Sequence, residues 1–340
     1  MRYPRQPGRR REARREDARA IDCFERALAA RENLLRSPRT NVCRVLNGSA
    51  DGIDGLVIEK LGDVLIAQLH EGRLRLAEPC VRSLCAHARR RLGARAVYRK
   101  CFVPDRGAAE QTLNELHTDP TPWVGEAVES EFPVRENGIR FLIRPYQGYS
   151  VGLFLEHREN RQRVRTLASG RALLNAFAYT CAFSVAAALG AAAATTSVDV
   201  SSKHLEWGKR NFAVNAIDPA RHTFICADIF DYYRRAKRQR RCFDLIVLDP
   251  PTFARSRRPK RTFVLTDDLE RLVTGAVELL SAGGYLLLAT NHRGTSRRRL
   301  ERVVAVTAGA RPCEIVERPR LPRDFRGDPG YARSILARLH

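Results

Sequence analysis

At 340 residues, 44% of them hydrophobic, the chain is long enough for two domains and too apolar to be a disordered polymer. Its formal net charge of +22, carried mainly by arginine, points to a polyanionic partner, the plain alternative being a solvated basic surface in an arginine-biased composition. No apolar stretch approaches the roughly 20 residues of a spanning helix and the N-terminus has no signal-peptide core, which speaks against a membrane or secreted protein.

In chain order, residues 1–15 read as a basic arm, disordered without a partner, with Arg2, Arg5, Arg9, Arg10, Arg11, Arg14 and Arg15 against Glu12. Glu12, Glu16 and Asp17 speak against a transit peptide. A helix over Asp17–Leu35 follows from the spacing of Ile21, Phe24, Leu28 and Leu35. The arm and helix (residues 1–37) precede a small central α/β domain (38–130). Its predicted strands are Asn41–Leu46, Leu56–Glu59, Val64–Leu69 and Ala96–Cys101, with a helix over Leu76–Arg91 and an irregular stretch over Gln111–Val128. A hairpin over Glu131–Arg144, turning at Glu136-Asn137-Gly138, links it onward.

From about Tyr149 strands and helices alternate: helix Arg158–Leu167, strand Ala172–Phe177, helix Ala182–Ala193, strand Thr196–Val200, helix Lys203–Asn215 and strand His222–Ala227. Helix Ile229–Lys237, strand Phe243–Leu248, helix Asp267–Leu280 stopped by Gly283-Gly284, strand Tyr285–Thr290 and strands near Glu314–Arg318 and Arg333–Leu339 complete the chain. Repeated βα units imply a parallel, doubly wound Rossmann-like sheet over 131–340, linking hairpin included, beside a smaller N-terminal α/β domain.

Ligands of such sheets sit beyond the carboxyl ends of the strands. There the chain carries Asn175 to Thr180, Asp199-Val200, Asp228-Ile229, Asp249-Pro250-Pro251-Thr252-Phe253 and Thr290-Asn291. Any one such Asp is commonly no more than a helix N-cap. Together, Asp199 one βα unit after the first strand suits ribose hydroxyls, and Asp228 suits an exocyclic amine of adenine. Neither a dinucleotide nor a P-loop glycine motif is present, which favours an adenosyl group without phosphates, S-adenosylmethionine. Nine cysteines, odd in number and without a Cys-x-x-Cys pair, predict no metal site and fit a reduced, cytoplasmic compartment.

As a set, Leu174 to Thr180, Ser197-Val198-Asp199, Asp228 and the Asp249–Phe253 loop resemble class I S-adenosylmethionine-dependent RNA methyltransferases. They are most similar to the bacterial 23S rRNA enzymes that make 5-methylcytosine or 7-methylguanine. Val151 to Arg158 resembles that family's cofactor-flanking element, and Asn47 to Leu56 its small central domain, so the resemblance covers about residues 40–340. It departs at Cys181, where family members usually have glycine, at Glu156-His157, where the usual pair is Asp-Gln, and in lacking the N-terminal RNA-binding barrel of some relatives. The resemblance implies a methyltransferase sheet whose cofactor-binding residues are Arg158, Asn175, Phe177, Tyr179, Thr180, Asp199, Val200, Asp228, Ile229 and Asp249.

Methylation of cytosine C5 requires a thiolate in the base pocket; relatives that do it carry that cysteine after the fifth strand, where this chain has Ala289-Thr290-Asn291-His292. Guanine N7 offers a free lone pair and needs only alignment, and Thr290-Asn291 resembles the guanine-N7 branch. The expected catalytic residues are Asp249, Pro250, Phe253, which would stack on the base, and Asn291, which would read its edge. Arg255, Arg257, Arg258, Lys260 and Arg261, next to that loop, are the expected RNA contacts. The expected partner is ribosomal RNA, as 23S rRNA or a large-subunit assembly intermediate, with no membrane and no oligomeric state implied. Alternatives are transfer to tRNA, guanine N2 or a ribosomal protein, and an RNA-binding protein whose cofactor site has decayed, suggested by Cys181.

Overall fold

The computed structural model describes residues 7–103, 106–257 and 260–340. The chain divides into two compact units, Met1–Gly138 with Leu142–Leu155 and Arg323–Gly327, and Ile139–Phe141 with Glu156–Pro322 and Asp328–His340.

In the first unit, helices α1 (Pro7–Ala29) and α2 (Glu32–Leu35) precede strands β1 (Val42–Asn47), β2 (Leu56–Leu61) and β3 (Val64–His70). Helix α3 (Glu78–Arg91), strand β4 (Ala96–Phe102), helix α4 (Arg106–Thr118) and strand β5 (Val124–Gly125) follow. The sheet runs β1-β2-β3-β4-β5 and is antiparallel except between β3 and β4, where α3 supplies the crossover that a parallel pair requires. Phe24 and Leu28 of α1 and Val81 and Leu84 of α3 close a core over Val45, Ile58 and Leu65. Buried charges tie the loops: Arg31 pairs with Asp51 at 2.6 Å, Arg44 with Glu59 at 2.7 Å, and the Arg44 amide donates to Asp324 at 2.9 Å.

Two expectations are corrected here. The helix starts at Pro7, so much of the expected arm is helical: proline suits a first helical turn, and the Arg, Glu and Ala that follow are strong helix formers. The stretch read as irregular contains the larger part of α4 and all of β5; among the helix's described side chains Leu113, Leu116 and His117 form the inward stripe, too short for periodicity to reveal.

Strands β6 (Phe132–Glu136) and β7 (Ile139–Ile143) form the linking hairpin, and Asn137 (φ 51°) and Gly138 (φ 82°) give the two left-handed residues of a type I′ turn. The second unit begins with α5 (Arg158–Leu167), β8 (Ala172–Ala176), α6 (Ala182–Leu189), β9 (Ala194–Asp199), α7 (Ser202–Ala213), β10 (Thr223–Cys226) and α8 (Ile229–Arg238). It continues through β11 (Phe243–Leu248), β12 (Phe253–Arg257), β13 (Lys260–Val264), α9 (Leu265–Val277), β14 (Leu280–Thr290), α10 (Arg297–Ala308), β15 (Cys313–Glu317) and β16 (Arg333–Leu339).

Its seven-stranded sheet has the order β10-β9-β8-β11-β14-β16-β15. The first five strands are parallel, and β16 and β15 add an antiparallel edge. Both faces are covered. Leu245 and Val247 pack toward α5 and α6 with Val164, Phe183 and Ala187, while Ile246 and Leu248 pack toward α8, α9 and α10. That two-sided burial is why β11 reads as an unbroken apolar run.

Two more readings need correction. The arginine-rich stretch after Phe253, for which no strand was expected, forms an antiparallel hairpin in which Phe253 faces Val264 and Arg257 faces Lys260. Gly283-Gly284, read as a helix stop, lies inside β14, where the register against β11 slips between Phe243 and Leu245 and a left-handed Gly283 (φ 71°) absorbs the irregularity.

Candidate active site at the strand ends

All five parallel strands finish on one edge. Cys226 of β10 is level with Asp199 of β9, Ala176 of β8 with Val198, and Leu248 of β11 with both Ala176 and Leu288 of β14. Neighbouring strands lie about 4.8 Å apart. Asp228, Asp199, the Phe177–Cys181 loop, Asp249 and Asn291 therefore line that edge in spatial order. The chain leaves β8 toward β9 and leaves β11 toward β14, so the crevice of a doubly wound sheet opens between β8 and β11.

The loop after β8 turns without glycine. Phe177 (φ 56°), Tyr179 (φ 49°) and Cys181 (φ 60°) are all left-handed, a conformation that costs roughly 1–2 kcal/mol for each L-residue. Neighbouring elements hold it. The Asp199 carboxylate accepts from the Tyr179 amide at 2.9 Å and, through its other oxygen, from the Ser201 amide at 2.8 Å. The Ala178 amide donates to Val198 at 3.0 Å, and Asn211 of α7 donates to the Thr180 carbonyl at 2.9 Å. Cys181 is fully buried, and its Sγ packs on Gly208 of α7: a Cβ there would lie 2.4 Å from the sulfur. Burial pushes the Cys181 thiol up to about 12.

The sequence-derived residues sort by depth. Asn175 is interior: its amide donates to Ser184, whose hydroxyl meets that of Ser197 at 2.8 Å. Thr180 and Arg158 are buried, and Ile229 belongs to the core beneath the edge. Asp228 caps α8, accepting from the amides of Phe230 and Asp231. Phe177 packs 5.3 Å from Phe263, and Tyr179 turns its ring to His204 at 4.6 Å. Val200 (49% exposed) and Phe253 (50% exposed) are apolar surface on the rim, with Asn291 also exposed and Pro250 buried. Arg255, Arg257, Lys260 and Arg261 have backbone positions on the β12–β13 hairpin; their side chains, and all of Arg258, lie outside the described residues.

One partner escaped the site reading. His157, just before α5, is buried, and its Nε2 lies 3.1 Å from Asp249 Oδ2. Its Nδ1 faces Asn160, which also donates to Ser334 of β16 at 2.8 Å, so a buried polar chain runs from the site into the sheet. Burial by itself would lower the His157 pKa; the charge and hydrogen bond of Asp249, aided by Glu156, outweigh it and leave it raised. The only sequence signal was Glu156-His157 itself, a departure from the family's Asp-Gln pair. Among the described residues no cluster of His, Cys, Asp and Glu could hold a metal ion, and no helix is long and apolar enough to cross a membrane.

The family model described as S-adenosylmethionine-dependent methyltransferase matches residues 115–336, more than half of the chain. The chain is 42% identical over 163 residues to ribosomal RNA large subunit methyltransferase K of Neisseria meningitidis, covering 48% of this chain and 46% of that protein. It is 33% identical over 269 residues to a ribosomal RNA large subunit methyltransferase of Deinococcus radiodurans, covering 78% of this chain and 63% of that one. The matched part thus spans less than two thirds of either relative. Among solved structures, a methyltransferase-type protein complexed with SAH superposes with a TM-score of 0.83 at 26% identity, over 95% of this chain and 81% of that one.

Proposed function

The chain belongs to the S-adenosylmethionine-dependent methyltransferase family, and on that premise we propose that it methylates a guanine of 23S rRNA, at N7, by in-line displacement without a covalent enzyme–base intermediate. The residues at the crevice suit the family's cofactor. The edge holds no diphosphate-binding glycine loop; it offers the Asp199 carboxylate for ribose hydroxyls, the half-exposed Val200 for an adenine face and Asp228 for an adenine amine. Cys181 has no exposed surface and takes no room from the crevice, which counts against a decayed site. When bound, S-adenosylmethionine supplies an electrophilic methyl on a sulfonium.

The protein's own task is then to present the base. Phe253, half exposed beside Asp249-Pro250-Pro251, is a platform on which a flat purine can stack, and Asn291 on the next strand tip can read its edge. Guanine N7 bears an in-plane lone pair, so no proton has to be removed and alignment supplies much of the rate. A base within a helix must first be extruded, at a cost of a few kcal/mol. Cytosine C5 would demand a thiolate. The Thr290-Asn291 tip has none, Cys181 is buried with a raised pKa, and exposed Cys226 ends β10, beyond β9 on the side away from β11 and β14. Guanine N2 is the second reading, since Asp249 and the Pro250 carbonyl could accept its hydrogens; tRNA and a ribosomal protein are the other acceptors in play.

The observation that carries the reading is the Asp249–Phe253 loop on the crevice edge, which carries a carboxylate and a half-exposed aromatic ring within one short segment. Mass mapping of 23S rRNA and tRNA from a strain lacking the gene tests it. The expected result is one guanine of 23S rRNA without its methyl group; a full complement of modified guanines there would overturn the substrate assignment.

A further inference from the structure

The first unit contains a cleft of about 200 Å³ bounded by β4, the segment after α4, and Pro145-Tyr146. Lys100 of β4 forms part of its lining although the residue is only 1% exposed. Its Nζ donates to the carbonyls of His117 at 3.0 Å and Gly148 at 2.5 Å. An ammonium has three donors, so one is left, and no carboxylate among the described residues lies within ion-pair distance of it. A buried cation without a counter-charge is costly, and here burial lowers the Lys100 pKa to about 8. An anion entering the cleft would remove that cost. The remaining lining adds two more cations, the exposed Arg82 and the half-buried Arg99, whose guanidinium pairs with the exposed Glu78 at 3.3 Å and lies 5.4 Å from the Trp123 ring. Tyr98 and Tyr146 form an aromatic wall with ring centroids 5.2 Å apart. The exposed Asp119 accepts from the Thr121 amide and can accept from an exocyclic amine as well.

We infer that this cleft is a second RNA contact, holding one unpaired nucleotide with its phosphate against Lys100, Arg82 and Arg99 and its base along Trp123 and Tyr146. Cations for the backbone beside aromatic faces for bases are how single strands are held without a sequence code. The inference rests on the RNA reading above and adds to it a site on the other unit.

The test is fluorescence anisotropy with a labelled single-stranded RNA of about 12 nucleotides across a salt series, on the wild type, Lys100→Met and the surface double variant Arg82→Ala/Arg99→Ala. S-adenosylhomocysteine titration of each protein runs in parallel. We expect the double variant to lose about tenfold in affinity, with its log–log salt slope shallower by up to about 0.7, because the cleft holds one phosphate and each phosphate contact on a single strand contributes about that much. Lys100→Met should lose about fivefold, and all three proteins should bind S-adenosylhomocysteine within twofold of each other. An oligonucleotide made abasic throughout should bind every protein more weakly and narrow the gap between wild type and the double variant. If the double variant keeps wild-type affinity and slope while the wild type binds RNA, the cleft site is wrong and the RNA reading stands; it decides the matter even if Lys100→Met does not fold. Wild-type protein that binds no RNA overturns both.

Discussion

Asp249 and His157 form the site's most consequential pair, because one carboxylate is asked to do two things. It presents an acceptor to the crevice and is also the partner of a buried imidazole at 3.1 Å. Asp249→Ala is expected to reduce single-turnover methyl transfer below detection while leaving RNA affinity within a few-fold, since the proposed phosphate contacts are on other residues. Retained transfer in the variant would remove Asp249 from the mechanism. Truncation also strips His157 of its partner, so a loss of about 1–3 kcal/mol in stability should accompany it. The pair predicts a pH dependence whose sign follows from the direction of the shift. The His157 pKa is raised above its ordinary 6.5 in the folded protein. Its stabilising contribution is therefore complete below that unfolded value and is lost as pH rises through the higher folded value. Thermal melts between about pH 6 and about pH 9 should show the wild type falling relative to His157→Gln, which has no such titration. Parallel curves would mean that His157 is neutral in the native protein throughout.

At the scale of elements, the glycine-free loop after β8 and helix α7 are fitted to one another. A left-handed Cys181 can keep its thiol buried only because residue 208 has no side chain: an added Cβ would lie 2.4 Å from the sulfur and 2.9 Å from the cysteine Cβ. Overpacking of this kind typically costs about 1–3 kcal/mol. Gly208→Ala should therefore destabilise by about that much and weaken S-adenosylhomocysteine binding through the displaced loop. Cys181→Gly relieves the left-handed strain but leaves a small void, and its net effect should stay within about 1 kcal/mol. The two changes should be strongly non-additive: in Cys181→Gly/Gly208→Ala the new methyl fills the space the thiol vacated, and stability should return to within about 1 kcal/mol of wild type. Additive denaturant midpoints in that cycle would show that the two residues do not restrain each other.

For the whole molecule, what could be read in the sequence follows from how local each signal is. The β11 run and its Asp-Pro-Pro stop, the Asn137-Gly138 turn and helix Arg158–Leu167 were legible because burial on both faces, left-handed turn chemistry and a glycine stop at Gly170 leave marks within a few residues. The β12–β13 hairpin was not, since arginines mask its alternation, and α4 was not, since the inward stripe of its described side chains is Leu113, Leu116 and His117, less than two turns. The acids at the strand tips were legible, but the Asp249–His157 contact was not, because it joins positions far apart in the chain and only the fold brings them together. Charge poses the reverse problem: +22 is obvious in the sequence, yet most of it sits on solvated faces and says nothing about where a polyanion binds. Two double variants that lower net charge equally separate the cases. Arg257→Ala/Arg258→Ala removes two of the arginines that follow Phe253 in the chain, and Arg238→Ala/Arg240→Ala removes two exposed arginines at and just after the end of α8. If RNA phosphates are held at the hairpin, only the first pair should flatten the log–log salt dependence of RNA binding, by roughly 1.4–1.8 for two lost contacts. Equal slopes in the two variants would show that the molecule responds to its total charge, and the hairpin would lose its role as the phosphate clamp.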